Sequence, residues 1–275
     1  MPELPELAAF SAYVKTHCLH KTITDVTTSD SKVIHGALSA FKKGLIGKQF
    51  SHTERMGKYL VIDLPDDKKL AMHFGLTGSL VYTKNDAESV RFSVVQFIFK
   101  DGSVLHWTSI RKFGKLWLLG SLQEDKFLKK LGPDALKISL AEFLSAAEKN
   151  KSKNCKAFLM DQAIIAGIGN EYSDEILFQA GIDPHHAMKD LSKNTLTILY
   201  KEMHTVLTYA CTVRIKSIKK NKENFSMEKD RDAFKASYLQ AHRHVDMVCP
   251  KNKNHKLKKS TIAGRTSYYC PEDQI

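Results

Sequence analysis

In the stretch AGIGNEYSDEIL (166–177), Gly167 and Gly169 lead into Asn170, residue types that could present a phosphate site. Two glycines allow a tight turn, and Asn170 suits the N-cap of the helix that follows. A helix N-terminus behind glycines offers free backbone N–H groups to a phosphate. The same residues also suit an ordinary helical hairpin capped by asparagine, so the stretch alone does not separate a ligand site from architecture. The opening MPELPE poses a second question, because Pro2, Glu3, Pro5 and Glu6 make a poor helix nucleus. Pro5 fits a first helical turn, and Glu6 sits where a helix macrodipole favours a carboxylate.

Charge narrows the choice of ligand. The chain carries 42 Lys and Arg against 30 Asp and Glu, a formal net charge of +12. That excess points to a polyanion, most simply nucleic acid, with a generic lysine-rich surface as the alternative. Five cysteines stand at positions 18, 155, 211, 249 and 270. Their odd number and scatter argue against a disulfide framework, and the chain is expected to be cytoplasmic, with no secretory signal or membrane-spanning run. Cys18, Cys155 and Cys211 lie in apolar helical patterns and read as buried structural residues. Cys249 and Cys270 bracket a basic terminal stretch.

The elements that must position these residues are readable from periodicity. Leu7, Phe10, Val14 and Cys18 recur at helical spacing. KYLVIDL (58–64), KLAMHF (69–74) and VVQFIFKDGSVLHW (94–107) read as strands, the last as a hairpin around Asp101-Gly102. KKLGPDALK (129–137) reads as a linker. Helices are predicted in LAEFLSAAEK (140–149), CKAFLMDQ (155–162), EYSDEILFQAG (171–181) and NTLTILYKEMHTVLTYACTV (194–213). KSIKKNKENFSMEKDRD (216–232) reads as a charged loop, and 248–275 as a short hairpin around a basic turn. No internal repeat is present.

MPELPEL, RMGKYL (55–60), MHFGLTGSL (72–80), RKFG (111–114), DQAIIAGIGNEYSDEIL (161–177) and TIAGRTSYYC (261–270) occur in one order. Together they resemble the formamidopyrimidine-DNA glycosylase and endonuclease VIII family of base-excision repair enzymes, over nearly the whole chain. The resemblance implies an α+β protein. An N-terminal β-sandwich with a flanking helix would span 1–131. A helix–two-turn–helix domain would span 132–275, ending in a zinc-finger-like β-hairpin at about 245–275.

It further implies a monomeric glycosylase and abasic-site lyase acting on double-stranded DNA with damaged bases. Pro2 would be the nucleophile, freed by removal of Met1, with Glu3 as its acid–base partner and Glu6 supporting the site. Lys58 would serve both catalysis and phosphate binding, with His73, Asn170 and Arg265 as further phosphate ligands. Leu76, Arg111 and Phe113 would fill the space left by an everted base. Leu76 departs from the methionine usual in the purine-lesion branch. PELPE and the Arg111–Phe113 pair favour that branch, which removes 8-oxoguanine and formamidopyrimidines. The alternatives are an endonuclease VIII-like enzyme for oxidised pyrimidines and a non-catalytic damaged-DNA-binding protein. The loop at about 216–235 corresponds to a segment that closes over the base.

The terminal hairpin departs furthest from the family, which usually carries four cysteines there. The resemblance leaves Cys249 and Cys270 as ligands, with His255 and Asp273 as substitutes holding one structural Zn2+. A metal-free hairpin is the alternative, and His242 and His244 are further candidates.

Overall fold

The computed structural model describes residues 1–85, 89–120, 128–220, 234–239 and 247–275. Its elements in chain order are helix α1 (Leu4–His17), strand β1 (Ile23–Thr28), helix α2 (Leu38–Leu45) and strands β2 (His52–Met56) and β3 (Tyr59–Asp63). Strands β4 (Lys69–His73), β5 (Gly78–Thr83), β6 (Ser93–Phe99), β7 (Val104–Ser109) and β8 (Lys115–Leu119) follow. Helices α3 (Leu140–Lys149), α4 (Cys155–Met160), α5 (Asn170–Ala180) and α6 (Lys193–Lys220) precede the strands β9 (Lys258–Ile262) and β10 (Arg265–Tyr269). The described residues of Met1–Lys129 and Arg214–Ser226 form one compact unit, and those of Lys130–Val213 and Met227–Ile275 a second.

In the first unit two antiparallel four-stranded sheets, ordered β1-β6-β7-β5 and β2-β3-β4-β8, make a β-sandwich. Strand β7 is buried at all six positions, and β3 and β4 are each buried at three consecutive ones. Such runs arise where a strand has neighbours on both sides and cover on both faces. Phe50 packs its ring edge against Phe97 and Phe99, at 5.9 and 5.8 Å between centroids, and Trp107 is fully buried. Helix α1 lies against β2, β3 and β5, and Phe10 meets Phe74 at 4.5 Å. The Asp101-Gly102 hairpin forms between β6 and β7, with Gly102 at φ +82°.

In the second unit the predicted helices all form, α4 stopping at Met160 short of the expected 162, and two further differences stand out. Asn170 is the first residue inside α5, and Gly169 is its N-cap, with φ −129° and ψ −154°. The Gly169 carbonyl accepts the Ser173 N–H, so the helix starts one residue earlier than an asparagine cap would place it. The second difference is α6, which runs on through Lys220 instead of ending at 213. The remainder of the charged loop, 221–233, lies outside the described residues, as do His242 and His244. The expected linker is also pinned, since Gly132 N–H and Ala135 N–H bond to Gln162 O and Ala166 O at 2.9 and 3.0 Å.

Strands β9 and β10 pair as a hairpin whose two-residue turn, Ala263-Gly264, has φ +50° and +72°. Two left-handed residues match the twist of the flanking strands. The hairpin packs through Leu257, Tyr268, Cys249 and Cys270 onto Phe178 of α5. Beneath it lies an ion pair between Lys156 of α4 and Asp174 of α5, both side chains fully buried. Asp174 also accepts Ser267 Oγ at 2.6 Å and Tyr268 N–H at 3.1 Å, which fixes β10 to the helices. Lys156→Met should leave that carboxylate charged and unpaired, at a cost of about 3–5 kcal/mol. Urea unfolding of the variant tests this, and an unchanged midpoint would contradict it.

Candidate active site

The first unit holds most of the expected site residues. Glu3 is the N-cap of α1 and only 2 % exposed, and Pro2 before it is buried. The Glu3 N–H donates to Glu6 Oε2 at 2.9 Å, as in a capping box. Glu6 is 3 % exposed, and its Oε1 accepts Arg214 Nε of α6 at 2.8 Å. The buried Glu6 carboxylate is thereby neutralised, and the start of α1 is held in one place. Arg214 was not expected from the sequence. Its signal is its phase, because Met203, Val206, Leu207, Ala210, Val213 and Ile218 form the buried stripe on which it stands. A cation on an apolar stripe calls for a buried anion.

Lys58 follows Gly57 in the turn between β2 and β3 and is 7 % exposed. Its neighbour Tyr59 pairs with His73 across the ladder, with ring centroids 5.1 Å apart. Burial, and then the charge of Lys58, hold the His73 pKa down to about 4. His73 Nδ1 accepts the Gly75 N–H at 3.2 Å, which leaves Nε2 to carry the proton of the neutral ring.

Leu76 stands in the tight turn 74–78, closed by Gly78 N–H to Phe74 O at 2.9 Å. Gly75 takes φ +58°, and a Cβ there would lie 2.6 Å from Gly114 N and 2.7 Å from Phe113 C. The turn thus rests directly on the 110–114 loop, where Arg111 is exposed and Phe113 is 60 % exposed. Arg111 Cζ lies 5.3 Å from the centre of the Phe113 ring, a cation–π contact.

Asn170 and Arg265 belong to the second unit. Asn170 is half-buried at the start of α5, and its Oδ1 is buried without a donor among the described residues. Arg265 is exposed at the first position of β10, beyond the Ala263-Gly264 turn. Asp174, one turn into α5, bonds to β10, so one carboxylate links the elements that bear both residues.

Cys249, His255, Cys270 and Asp273 converge at the base of the hairpin. Asp273 Oδ2 lies 2.9 Å from Cys249 Sγ, 3.0 Å from Cys270 Sγ and 3.0 Å from His255 Nδ1. Both cysteines are fully buried. Burial, and then the Asp273 carboxylate, push the Cys270 thiol up to about 12 and raise Cys249 as well. The two thiol hydrogen bonds hold Asp273 down to about 2. Cys249, Cys270 and Asp273 lie within 4.8 Å of one another, as do His255, Cys270 and Glu272, and thiols with a carboxylate are donors that suit a divalent cation. Glu272 lies 3.8 Å from His255 Nδ1 and belongs to the same cluster, although the sequence reading did not include it.

Comparison with known proteins matches both units. The family model described as the formamidopyrimidine-DNA glycosylase N-terminal domain matches residues 1–116, and that of the formamidopyrimidine-DNA glycosylase H2TH domain matches 131–222. Formamidopyrimidine-DNA glycosylases of Pelotomaculum thermopropionicum and Carboxydothermus hydrogenoformans are each 32 % identical, over all of this chain and 99 % and 100 % of theirs. A crystal structure of a Lactococcus lactis FPG mutant in complex with a Fapy-dG containing DNA is 26 % identical. It superposes with a TM-score of 0.85 over 99 % of both chains. Among the described residues no helix is long and apolar enough to cross a membrane.

His73 gives a pH test of the site's burial. An unfolded histidine takes up a proton near 6.5, and this one only near 4, so between those values the unfolded chain binds more protons. The stability that His73 contributes above about 6.5 is therefore lost as pH falls towards about 4. His73→Gln should narrow the stability gap between pH 7 and pH 5, read from urea midpoints. An equal gap in both proteins would contradict the buried, neutral ring.

Proposed function

Because this chain belongs to the formamidopyrimidine-DNA glycosylase family, and is a DNA glycosylase of double-stranded DNA with damaged bases, we propose that it removes oxidised purines through an imine formed by Pro2. The substrates of this reading are 8-oxoguanine and formamidopyrimidines. The observation that carries it is the pair Pro2–Glu3, buried at a helix start that Glu6 and Arg214 fix. Binding alone does not require a buried acid next to residue 2, so the pair favours chemistry over a non-catalytic DNA-binding role.

Once Met1 is removed, Pro2 is a secondary amine, and an α-amino group with a pKa near 8 is partly neutral at physiological pH. Its lone pair attacks the anomeric carbon of the damaged nucleotide. The bond to the base breaks, its electron pair leaves with the base, and the proton shed by the Pro2 nitrogen ends on the departing base. Glu3 supplies a proton to the sugar ring oxygen as the ring opens, giving an iminium. That cation acidifies the neighbouring sugar protons. Their removal expels first the 3′ and then the 5′ phosphate, by β- and δ-elimination.

Lys58, His73, Asn170 and Arg265 bind the phosphates around the everted nucleotide, and Leu76, Arg111 and Phe113 fill the gap it leaves. His73 held neutral donates through Nε2 without adding charge. Domain 1–131 would carry the chemistry and domain 132–275 further DNA contacts.

Cys249, His255, Cys270 and Asp273 would hold one Zn2+, which would cross-link the two ends of the hairpin that presents Arg265. Zinc would also draw the protons off both thiols. Elemental measurement should find one zinc per chain, and a chelator should lower the melting temperature. Metal-free protein with an unchanged melt would leave the hairpin held by its hydrogen bonds alone.

The imine is trapped by borohydride on an abasic duplex. The processed protein should give a covalent adduct, and Pro2→Gly or an N-terminal tag should abolish it. An adduct that survives Pro2→Gly would assign the attack to another amine. A panel with 8-oxoguanine, ring-opened guanine and oxidised thymine separates the purine reading from the pyrimidine one.

A further inference from the structure

The two gap-filling loops are the places where the chain passes from one sheet to the other. The 74–77 turn leaves β4 and enters β5, while the 110–114 loop leaves β7 and enters β8. The ladders that flank them end at His73↔Lys115 in one sheet and at Gly78↔Ser109 in the other. Between these two pairs the loops run side by side with no ladder to hold them.

One side chain ties the loops together there. Thr77 Oγ1 accepts the Arg111 N–H at 3.0 Å. Next to it, the Gly75 backbone lies flat on Phe113 and Gly114. Elsewhere in the 110–114 loop, Lys112 N–H donates to Ser109 Oγ at 3.0 Å and Lys112 Nζ lies 3.6 Å from Asp30. Ile110 and Phe113 are both 60 % exposed, so apolar burial does not hold the loop down.

We propose that Thr77 is a positioning residue that couples Leu76 to Arg111 and Phe113, so that the three enter the duplex as one body. The proposal rests on the gap-filling roles given above. Thr77 itself follows Leu76 directly, and its hydroxyl is spent on the Arg111 main chain, so it acts through its neighbours. With the bond in place, a shift of the Leu76 turn carries Arg111 with it. Without it, the exposed Arg111 N–H is taken over by water, and the Gly75 packing alone couples the two loops less tightly. The loss then falls on the step in which all three residues must be placed together, namely eversion of a paired base. An abasic site has no base to evert, and its chemistry at Pro2 needs less of this coupling.

Thr77→Val keeps the shape of the side chain and removes the acceptor, and Thr77→Ser keeps the acceptor. Each is compared with the parent protein on two duplexes, one with the lesion that the parent excises fastest and one with an abasic site. A 2-aminopurine beside the lesion reports unstacking by its fluorescence. Thr77→Val should slow both the fluorescence rise and lesion excision by about tenfold, the scale of one net hydrogen bond. Adduct formation on the abasic duplex should stay near the parent rate, and Thr77→Ser should restore excision.

Lesion excision at the parent rate in Thr77→Val would overturn the coupling. So would equal losses on both duplexes, or failure of serine to rescue, because either would mean a general packing role. Absence of an adduct with the parent protein would instead defeat the imine reading, so the two failures are distinguishable.

Discussion

The Glu6 carboxylate is the constraint on which the first unit's site depends. It is buried, and both of its oxygens are used: Oε2 takes the Glu3 N–H, and Oε1 takes Arg214. A carboxylate in this position costs several kcal/mol in lost hydration unless it is paired and hydrogen-bonded. Here the two partners come from opposite ends of the sequence. The first residue of the helix, the N-cap before it and Pro2 are therefore located by a residue more than two hundred positions away. An exposed helix start would fray. This one has a single position, which is what an N-terminal nucleophile would require of its support.

The second unit uses the same device in another place. Asp174 is a buried carboxylate whose oxygens take Lys156, Ser267 Oγ and the Tyr268 N–H. A hairpin of two five-residue strands is marginal by itself. Fastened to α5 through Ser267 Oγ and the Tyr268 N–H, the strand that begins at Arg265 is held to the helix that begins at Asn170. In both units, then, the candidate site residues are carried on elements that a buried ion pair fastens in place. The pair supplies geometry more than it supplies net stability.

Much of the fold was legible in the sequence, because it is written in short-range patterns. Strands β3, β4, β6 and β7 appear as apolar runs, and the turn at Asp101-Gly102 is a local signal. The helices of the second unit appear as amphipathic periods. What failed was punctuation. Helix α6 continues into a lysine-rich segment because Ile218 is still in phase with its buried stripe, and composition concealed that phase. Asn170 has the right chemistry for a cap, but the glycine before it takes the extended conformation first. The hairpin turn is Ala263-Gly264, not the basic residues nearby, because strand pairing selects two left-handed residues over charge.

The parts of the site that were not legible share one physical cause. Arg214, Lys156 and Asp174 are charged residues on helix faces that are otherwise apolar, and amphipathic reading treats each of them as noise. In α5 the run Tyr172–Phe178 is buried without a break, including Ser173, Asp174 and Glu175. Periodicity cannot describe a helix covered on all sides. Its polar residues become informative only when their partners are known, and those partners are distant in sequence: β10 for Asp174, and Leu239 N–H for Glu175 at 3.2 Å. A charge that interrupts an apolar stripe is thus a signal of a long-range contact. Reading Arg214 in that way would have led from α6 to a buried anion, and so to the glutamates at the start of the chain.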